Sequence, residues 1–502
     1  MSRGKMEKSG FNSLAPRDLW FTLSGVGLAM FMAALDQTIV ATAMPRIARD
    51  LGGFASYAGV VTAYLIASTA VMPIVGKLSD VHGRKYFLLG GILWFTLASV
   101  LCGLAQTMPQ LIAFRALQGL GAGTMTCAAS TIIADLFSPS ERGRVIGILV
   151  PISSAASVMG PLLGGFLTDG PGWRYVFYVN LPIGLLGCAV LARFAPNIRH
   201  TQTGDFRVDY AGVAVLIASV VPLLLALNGI DKDHPWFSPY VLGLGAVGFI
   251  FGLLFVFIEK KATHPILPLE LFKNSIISIS LSSAALTSAA LFGVTFFLPL
   301  FVQQVLGASA QTSGAILLPF TFIFAAVVSV TGHLISRSGR YRVFAILGPA
   351  IAVIGGFLLS RLSPSTTHAT LVMDIVIVGA GLAICMPVYN LATQNAVQMS
   401  LLGSATSMVN FMRAIGSSFG VAVFGSILTA QTQSAGIAPA LTDIFGVISL
   451  ILIVTVVLAF FHEGNTAEEN HRRQNGSGRF RIEKGNLAEV FFTAQWQGMG
   501  IN

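Results

Sequence analysis

Residues 19–42 read LWFTLSGVGLAMFMAALDQTIVAT. A helix needs about 20 mostly apolar residues to cross roughly 30 Å of hydrocarbon, so this stretch is read as a transmembrane helix. Barrel strands would be about half as long. Within it stands one acid, Asp36. A carboxylate in hydrocarbon is costly enough that function is its first explanation. The alternative is a structural polar group tied to a neighbouring helix or snorkelling to the surface.

The rest of the chain repeats the pattern. It has 502 residues, 54% hydrophobic and only 10% charged, too much apolar surface for one soluble core. The spacing predicts fourteen spans, centred near residues 31, 67, 96, 123, 156, 184, 219, 248, 289, 323, 353, 381, 416 and 451. With the amino terminus in the cytoplasm, 23 of the 30 Lys and Arg fall in cytoplasmic segments and five in outer ones. The other two, Arg115 and Arg413, fall within the membrane. That skew places both termini inside, in a multi-pass protein of the cytoplasmic membrane. The net charge of +9 therefore reflects topology and anionic lipid, with no nucleic-acid partner. Cys102, Cys127, Cys188 and Cys385 lie in apolar runs without CxxC spacing, so they read as small buried hydrophobes with no disulfide or metal role.

An internal echo divides the chain. Gly76-Lys77-Leu78-Ser79-Asp80-Val81-His82-Gly83-Arg84 returns 256 residues later as Gly332-His333-Leu334-Ile335-Ser336-Arg337-Ser338-Gly339-Arg340. A weaker echo aligns Gly143 and Gly160 with Gly403 and Gly420. The expected organisation is all-α: a cytoplasmic segment 1–18, a six-helix bundle 19–195, a central loop with two inserted helices 196–275, a second six-helix bundle 276–462 and a cytoplasmic tail 463–502. Sites in such duplicated folds lie between the halves.

Four groups of residues carry chemistry. In the loop, Gly83 permits a tight turn and Asp80 can accept from Arg84 or from a helix terminus, which reads as a gate at Gly76, Asp80, Gly83, Arg84 and, in the second copy, Gly339 and Arg340. A basic turn that merely fixes orientation is the alternative. Arg115 opens the fourth span at a depth similar to that of Asp36. A guanidinium favours a neighbouring carboxylate's charged form and apolar burial its neutral form, so the pair reads as a protonation switch or as a fixed structural ion pair. Gly160-Pro161-Leu162-Leu163-Gly164-Gly165 in span five combines a proline bend with small residues that admit another helix, a packing device or a hinge. Gln118, Arg413 and Asp374 are candidate cavity residues, the alternatives being a structural bond to freed carbonyls for Arg413 and an interfacial place for Asp374; the Phe-rich stretches 292–301 and 320–324 are candidate pocket walls or faces turned to lipid and other helices.

With these residues assembled, the chain resembles the fourteen-span drug:proton antiporter branch of the major facilitator superfamily over residues 19–462. Leu35 to Pro45, Gly76 to Lys85, Arg115 to Gly123 and Gly160 to Gly165 look like four of its signatures in order. Trp173-Arg174, Asn180 and Pro268 to Asn274 also fit that branch. Ala41, Ala156 and Ser336 depart from its usual residues. The resemblance implies proton-driven export of hydrophobic or amphiphilic small molecules, with Asp36 coupling to protons and Arg115 as its partner. It implies no cofactor, and leaves a periplasmic adaptor open. An exporter of one metabolite or lipid, or a nutrient importer, would use the same fold. The chain lacks GxxxxGK[ST] and any metal-ligand cluster, against direct ATP use and against enzymatic chemistry.

Overall fold

A computed structural model of the chain describes residues 16–137, 139–196, 210–228, 237–262, 269–338, 341–397, 402–432 and 434–461. The expected terminal segments therefore lie almost wholly outside the described residues, as do Gly339 and Arg340. Every long element is a helix: α1 (Pro16–Asp50), α2 (Tyr57–His82), α3 (Arg84–Leu104), α4 (Met108–Leu136), α5 (Pro139–Asp169), α6 (Tyr175–Tyr178), α7 (Asn180–Phe194), α8 (Tyr210–Asn228), α9 (Pro239–Lys261), α10 (Ser275–Gln304), α11 (Ala310–Ser338), α12 (Tyr341–Leu359), α13 (His368–Asn395), α14 (Leu402–Thr432) and α15 (Ile437–Phe460). Among the described residues, eleven segments are long and apolar enough to cross a membrane, α6 and α7 counting as one. This is a polytopic membrane protein. Helices α4, α5 and α8 fall at the remaining predicted centres but outside those eleven.

Helix ends follow local chemistry. Thr107 caps α4 by accepting from the Gln110 amide, and Asn274 caps α10 by accepting from the Ile276 amide, meeting donors that a helix start leaves orphaned. The first helix outruns its predicted end near Thr42 and continues through Pro45 to Asp50. Its last turn is polar and closed by an Arg46–Asp50 pair at 3.0 Å, so apolarity alone does not mark where it stops.

Small residues set the packing in both halves. A Cβ on Gly91 or Gly121 would meet backbone atoms of α4 or α3 at 2.8 and 2.6 Å respectively. Gly355 and Gly381 play the same part between α12 and α13, so the third and fourth spans of each half meet in the same way. Helices α8 and α9 pair separately, with the Ser219 hydroxyl donating to the Gly248 carbonyl at 2.8 Å. The outer face of α9 presents Phe249, Ile250, Leu253 and Phe257, as a helix bathed in lipid should.

The halves are clasped at one end, where α1, α5 and α10 finish and α2 and α11 begin. Gln303 donates to the Thr42 carbonyl at 2.8 Å, and the Tyr57 hydroxyl donates to the Phe296 carbonyl at 2.7 Å. The Asp169 carboxylate accepts from the Gln311 amide at 2.7 Å and the Ala310 amide at 3.3 Å, capping α11 from the opposite half. Gly165 lies against Ala310 and Gln311, while Gly314 lies against the Pro161 carbonyl. On another face of α5, Gly160 sits on Thr38 and Gly164 on the Ile39 carbonyl of α1.

This close seat predicts that Gly160→Val destabilises the fold by about 1–3 kcal/mol through overpacking. Gly90, whose Cβ position faces open space, is the control. Thermal unfolding of the detergent-solubilised protein should show a lowered midpoint for Gly160→Val and little change for Gly90→Val.

Candidate functional site

Asp36 and Arg115 meet inside the first half, 0% and 1% exposed. One guanidinium nitrogen of Arg115 donates to the Asp36 carboxylate at 2.6 Å and to Gln118 Oε1 at 2.7 Å. Gln118 spans three helices: its amide nitrogen donates to Asp36 at 2.9 Å and to the Ser99 hydroxyl at 2.8 Å. Asn180 at the start of α7 donates to Asp36 at 3.3 Å, and the Cys102 thiol donates to Gln118 Oε1 at 3.4 Å. The Tyr64 ring of α2 lies 4.2 Å from the guanidinium carbon, and the Phe177 ring of α6 5.9 Å from it. Five helices of one half thus enclose a single carboxylate–guanidinium pair, with α6 adding a ring.

The α4 sequence explains how the cluster closes. Arg115 and Gln118 are three residues apart and so share a face. Gly119 and Gly123 let the α4 backbone press against the Tyr64 and Ser68 carbonyls of α2. Short side chains thereby hold Tyr64 over Arg115. The break between α6 and α7 at Val179 turns Asn180 inward, and Arg174 anchors that turn by donating to the Ala105 carbonyl at 3.0 Å. Trp173 anchors it too, donating to Asp50 at 3.1 Å.

Gln118 was expected at the cavity; it belongs instead to this buried cluster. A cavity of about 440 Å³ lies between the halves, walled by α1, α5, α10 and α11. Gln37, Thr38, Ser153, Ser154 and Ser157 give it a polar side, while Phe292, Phe296, Phe320 and Phe324 give it an aromatic side. The rings come in two neighbouring pairs, with centroids 6.0 and 6.1 Å apart. Pro161 also lines it. Among the described residues, none of the lining side chains is charged. Arg413 is not among those lining residues; it is half-buried and donates to the Met386 carbonyl at 2.6 Å, the structural role open to it. Asp374 is buried within α13 and is likewise absent from the wall.

In the loop region Gly83 adopts φ 103°, the left-handed side of backbone space that glycine enters freely. Arg84 donates to Asp135 at 2.8 Å, to the Ser79 hydroxyl at 2.8 Å and to the Gly76 carbonyl at 3.2 Å. These contacts tie the α2–α3 turn to α4 within one half. The Asp80 side chain lies outside the described residues. Asp135, Ser99 and Tyr64 were not singled out in the sequence, where each reads as an ordinary helix residue.

Duplicated halves, a cavity between them and a buried ion pair beside it are the frame of a membrane carrier. The profile of the Major Facilitator Superfamily matches residues 26–421, and the chain belongs to that family. It is 39% identical to the multidrug transporter protein MdtP of Bacillus subtilis (strain 168), over 85% of this chain and 78% of that one. It is 38% identical to multidrug resistance protein 3 of the same organism, over 82% and 79%. The MFS-type efflux transporter pyiT of Pyricularia grisea is 34% identical, over 85% and 74%. In fold, it is similar to the nucleoside transporter NupG (TM-score 0.64, 12% identity, 88% of this chain and 100% of that one). A bacterial homologue of the human lysosomal transporter Spinster gives a TM-score of 0.65 at 16% identity, over 92% and 99%.

Because the ion pair is sealed, removing one partner leaves an uncompensated charge. Arg115→Leu should cost about 3–5 kcal/mol of stability. The double variant Asp36→Asn with Arg115→Leu should recover part of that loss. Unfolding midpoints of the three purified proteins in one detergent check this, and an Arg115→Leu midpoint equal to wild type would refute it.

Proposed function

We propose that this chain is a proton-coupled antiporter that exports hydrophobic or amphiphilic small molecules across the cytoplasmic membrane by alternating access. The observation that carries this reading is a fully buried Asp36–Arg115 pair one residue from a side chain of the cavity wall, Gln37. A carboxylate so placed can exchange a proton while cargo occupies the neighbouring space. The names of the bacterial relatives, a multidrug transporter and a multidrug resistance protein, support the cargo class, as do paired phenylalanines facing a row of hydroxyls.

In this reading α4, α5 and α8 complete fourteen spans, and both termini are cytoplasmic, as the distribution of Lys and Arg requires. The clasped end is then the outer one. Helices α5 and α11 touch at 169/310, 165/311 and 161/314 and part around the cavity at 153–157 and 317–329. The pose is thus closed outside. The Gly160–Gly165 segment, which seats α5 on α1 and on α11 at once, is the element about which the halves rock. The Gly76–Arg84 turn, with its second copy at Gly339 and Arg340, is the gate at the cytoplasmic end.

Each proton entering supplies about 2.3 kcal/mol per 100 mV of membrane potential and about 1.4 kcal/mol per unit of pH gradient. One or two protons therefore sustain a useful concentration ratio. Protonation of Asp36 from outside favours return of the empty carrier, and proton loss inside permits reloading.

Proteoliposomes holding ethidium at equal concentration inside and out and given a proton gradient test the reading. Wild type should move the dye against its gradient, and an uncoupler should stop it. Asp36→Asn should lose uphill movement by about two orders of magnitude, as when a positioned proton-transfer group is removed. Uphill export by Asp36→Asn would exclude Asp36 from the proton path. Dye uptake that rises on expression in cells would point to import.

A further inference from the structure

The end of the first half away from the clasp gathers three basic residues from three helices: Arg17 at the start of α1, Lys85 at the start of α3 and Arg193 at the end of α7. Phe21 and Phe194 join α1 to α7 there, stacked with centroids 4.3 Å apart and planes 15° from parallel. The Arg17 guanidinium lies 5.7 Å from the Phe21 ring and 6.0 Å from the Phe194 ring. Arg193 lies 5.6 Å from the same Phe194 ring. Cation–π contact holds each guanidinium by its face and leaves its fork of N–H donors free.

The carbonyls that end α7 do not take up these donors. Lys85 donates to the Ala192 carbonyl at 2.8 Å, and the Thr22 hydroxyl donates to the Phe194 carbonyl at 3.3 Å. Among the described residues neither Arg17 nor Arg193 has an ion-pair partner. Asp18, the acid next to Arg17 in the chain, forms no pair either and leaves α1 about 100° away. Two like charges on one ring repel each other. Charge that served only to orient the chain could be spread along the surface, so its convergence marks the seat of an anion. The surroundings name the source. Trp20 and Tyr86 are exposed beside the cluster, as aromatic side chains at a membrane interface are. Leu93 and Leu97 of α3 and Leu185 and Leu186 of α7 carry exposed apolar surface onward into the bilayer.

We propose that Arg17, Lys85 and Arg193 form a binding site for the phosphate of an anionic phospholipid. The two guanidiniums donate charge-assisted hydrogen bonds to the free phosphate oxygens. Lys85, with donors to spare after its bond to Ala192, adds a third positive charge, and the acyl chains lie along the exposed leucines. With both termini inside, the site faces the cytoplasmic leaflet, whose anionic lipids attract basic residues at the surface. The lipid then bridges α1, α3 and α7, the helices that bring Asp36, Ser99 and Asn180 to the buried cluster. The site stands apart from the antiport reading and would serve a carrier of any coupling.

Trp20, one turn along α1 from Arg17, reports on the site. The full-length protein in detergent is titrated with phosphatidylglycerol brominated on its acyl chains, and the Trp20 signal is the fluorescence that Trp20→Phe lacks. Wild type should show saturable quenching of that signal, and brominated phosphatidylcholine should not reproduce it at the same concentrations. Arg17→Gln combined with Arg193→Gln should weaken phosphatidylglycerol binding about 25-fold, about fivefold for each basic residue near an anionic surface. Both side chains are exposed, so the double variant should unfold at the wild-type midpoint. Unchanged affinity in the double variant overturns the site. Equal quenching by phosphatidylcholine overturns its preference for anionic lipid. Inorganic phosphate that displaces the lipid at equal concentration overturns the lipid as occupant and leaves a site for free anions.

Discussion

A carboxylate and a guanidinium enclosed in an apolar bundle hold each other in place, and the first half is built around that constraint. Taking both charges out of water costs several kcal/mol each, and the pair offsets this only with good geometry and further hydrogen bonds. The further bonds are present: Gln118 holds both partners, while Asn180 and Ser99 extend the set to α7 and α3. Satisfying them demands that four helices meet within a few ångströms, and the Tyr64 ring over Arg115 brings in α2 as a fifth. That in turn explains why α3 and α4 touch through Gly91 and Gly121, and α2 and α4 through Gly119 and Gly123. Larger residues at these contacts would part the backbones and open the cluster.

Helix α1 then has three tasks on three faces. Asp36 faces the cluster, Gln37 and Thr38 border the cavity, and Thr38, Ile39 and Thr42 receive the glycines of α5. Helix α5 continues the chain of contact, since Pro161 and Gly165 bear on α11 of the other half. A rotation of one half against the other therefore bears on α1, which carries one partner of the ion pair, and on α5, which is seated on α1. Packed interfaces of this kind switch between discrete arrangements and do not deform smoothly, which suits a carrier that must never be open to both sides.

Much of this was legible in the chain. Length and apolarity located the helices, because hydrocarbon thickness leaves little choice of element. Asp36, Arg115 and the small residues of span five stood out because each breaks an apolar pattern. Gln118 was visible but misplaced: one turn along α4 from Arg115, it bonds inward, and only the facing helices decide that. Ser99, Tyr64 and Asp135 carried no signal, since a hydroxyl, a phenol or an acid on a helix has many ordinary uses. The end of α1 was missed because its final turn is held by an ion pair, which apolar periodicity does not register.

The separation of charge from cavity shapes what such a carrier can do. If the proton-binding acid lined the pocket, cargo and proton would compete at one atom, and cationic cargo would be favoured. Asp36 is 0% exposed and the pocket wall, among the described residues, is uncharged, so if Asp36 is that acid, occupancy acts on it through α1. In the antiport reading the site then places no demand on cargo charge. Neutral cargo exchanged for a proton moves net charge inward and draws on the membrane potential as well as the pH gradient. A monocation exchanged for a proton moves none and draws on the pH gradient alone. One cavity with hydroxyls on both walls and paired rings on one of them can accept both, with different driving forces, because in that reading the charge that matters is held one helix face away.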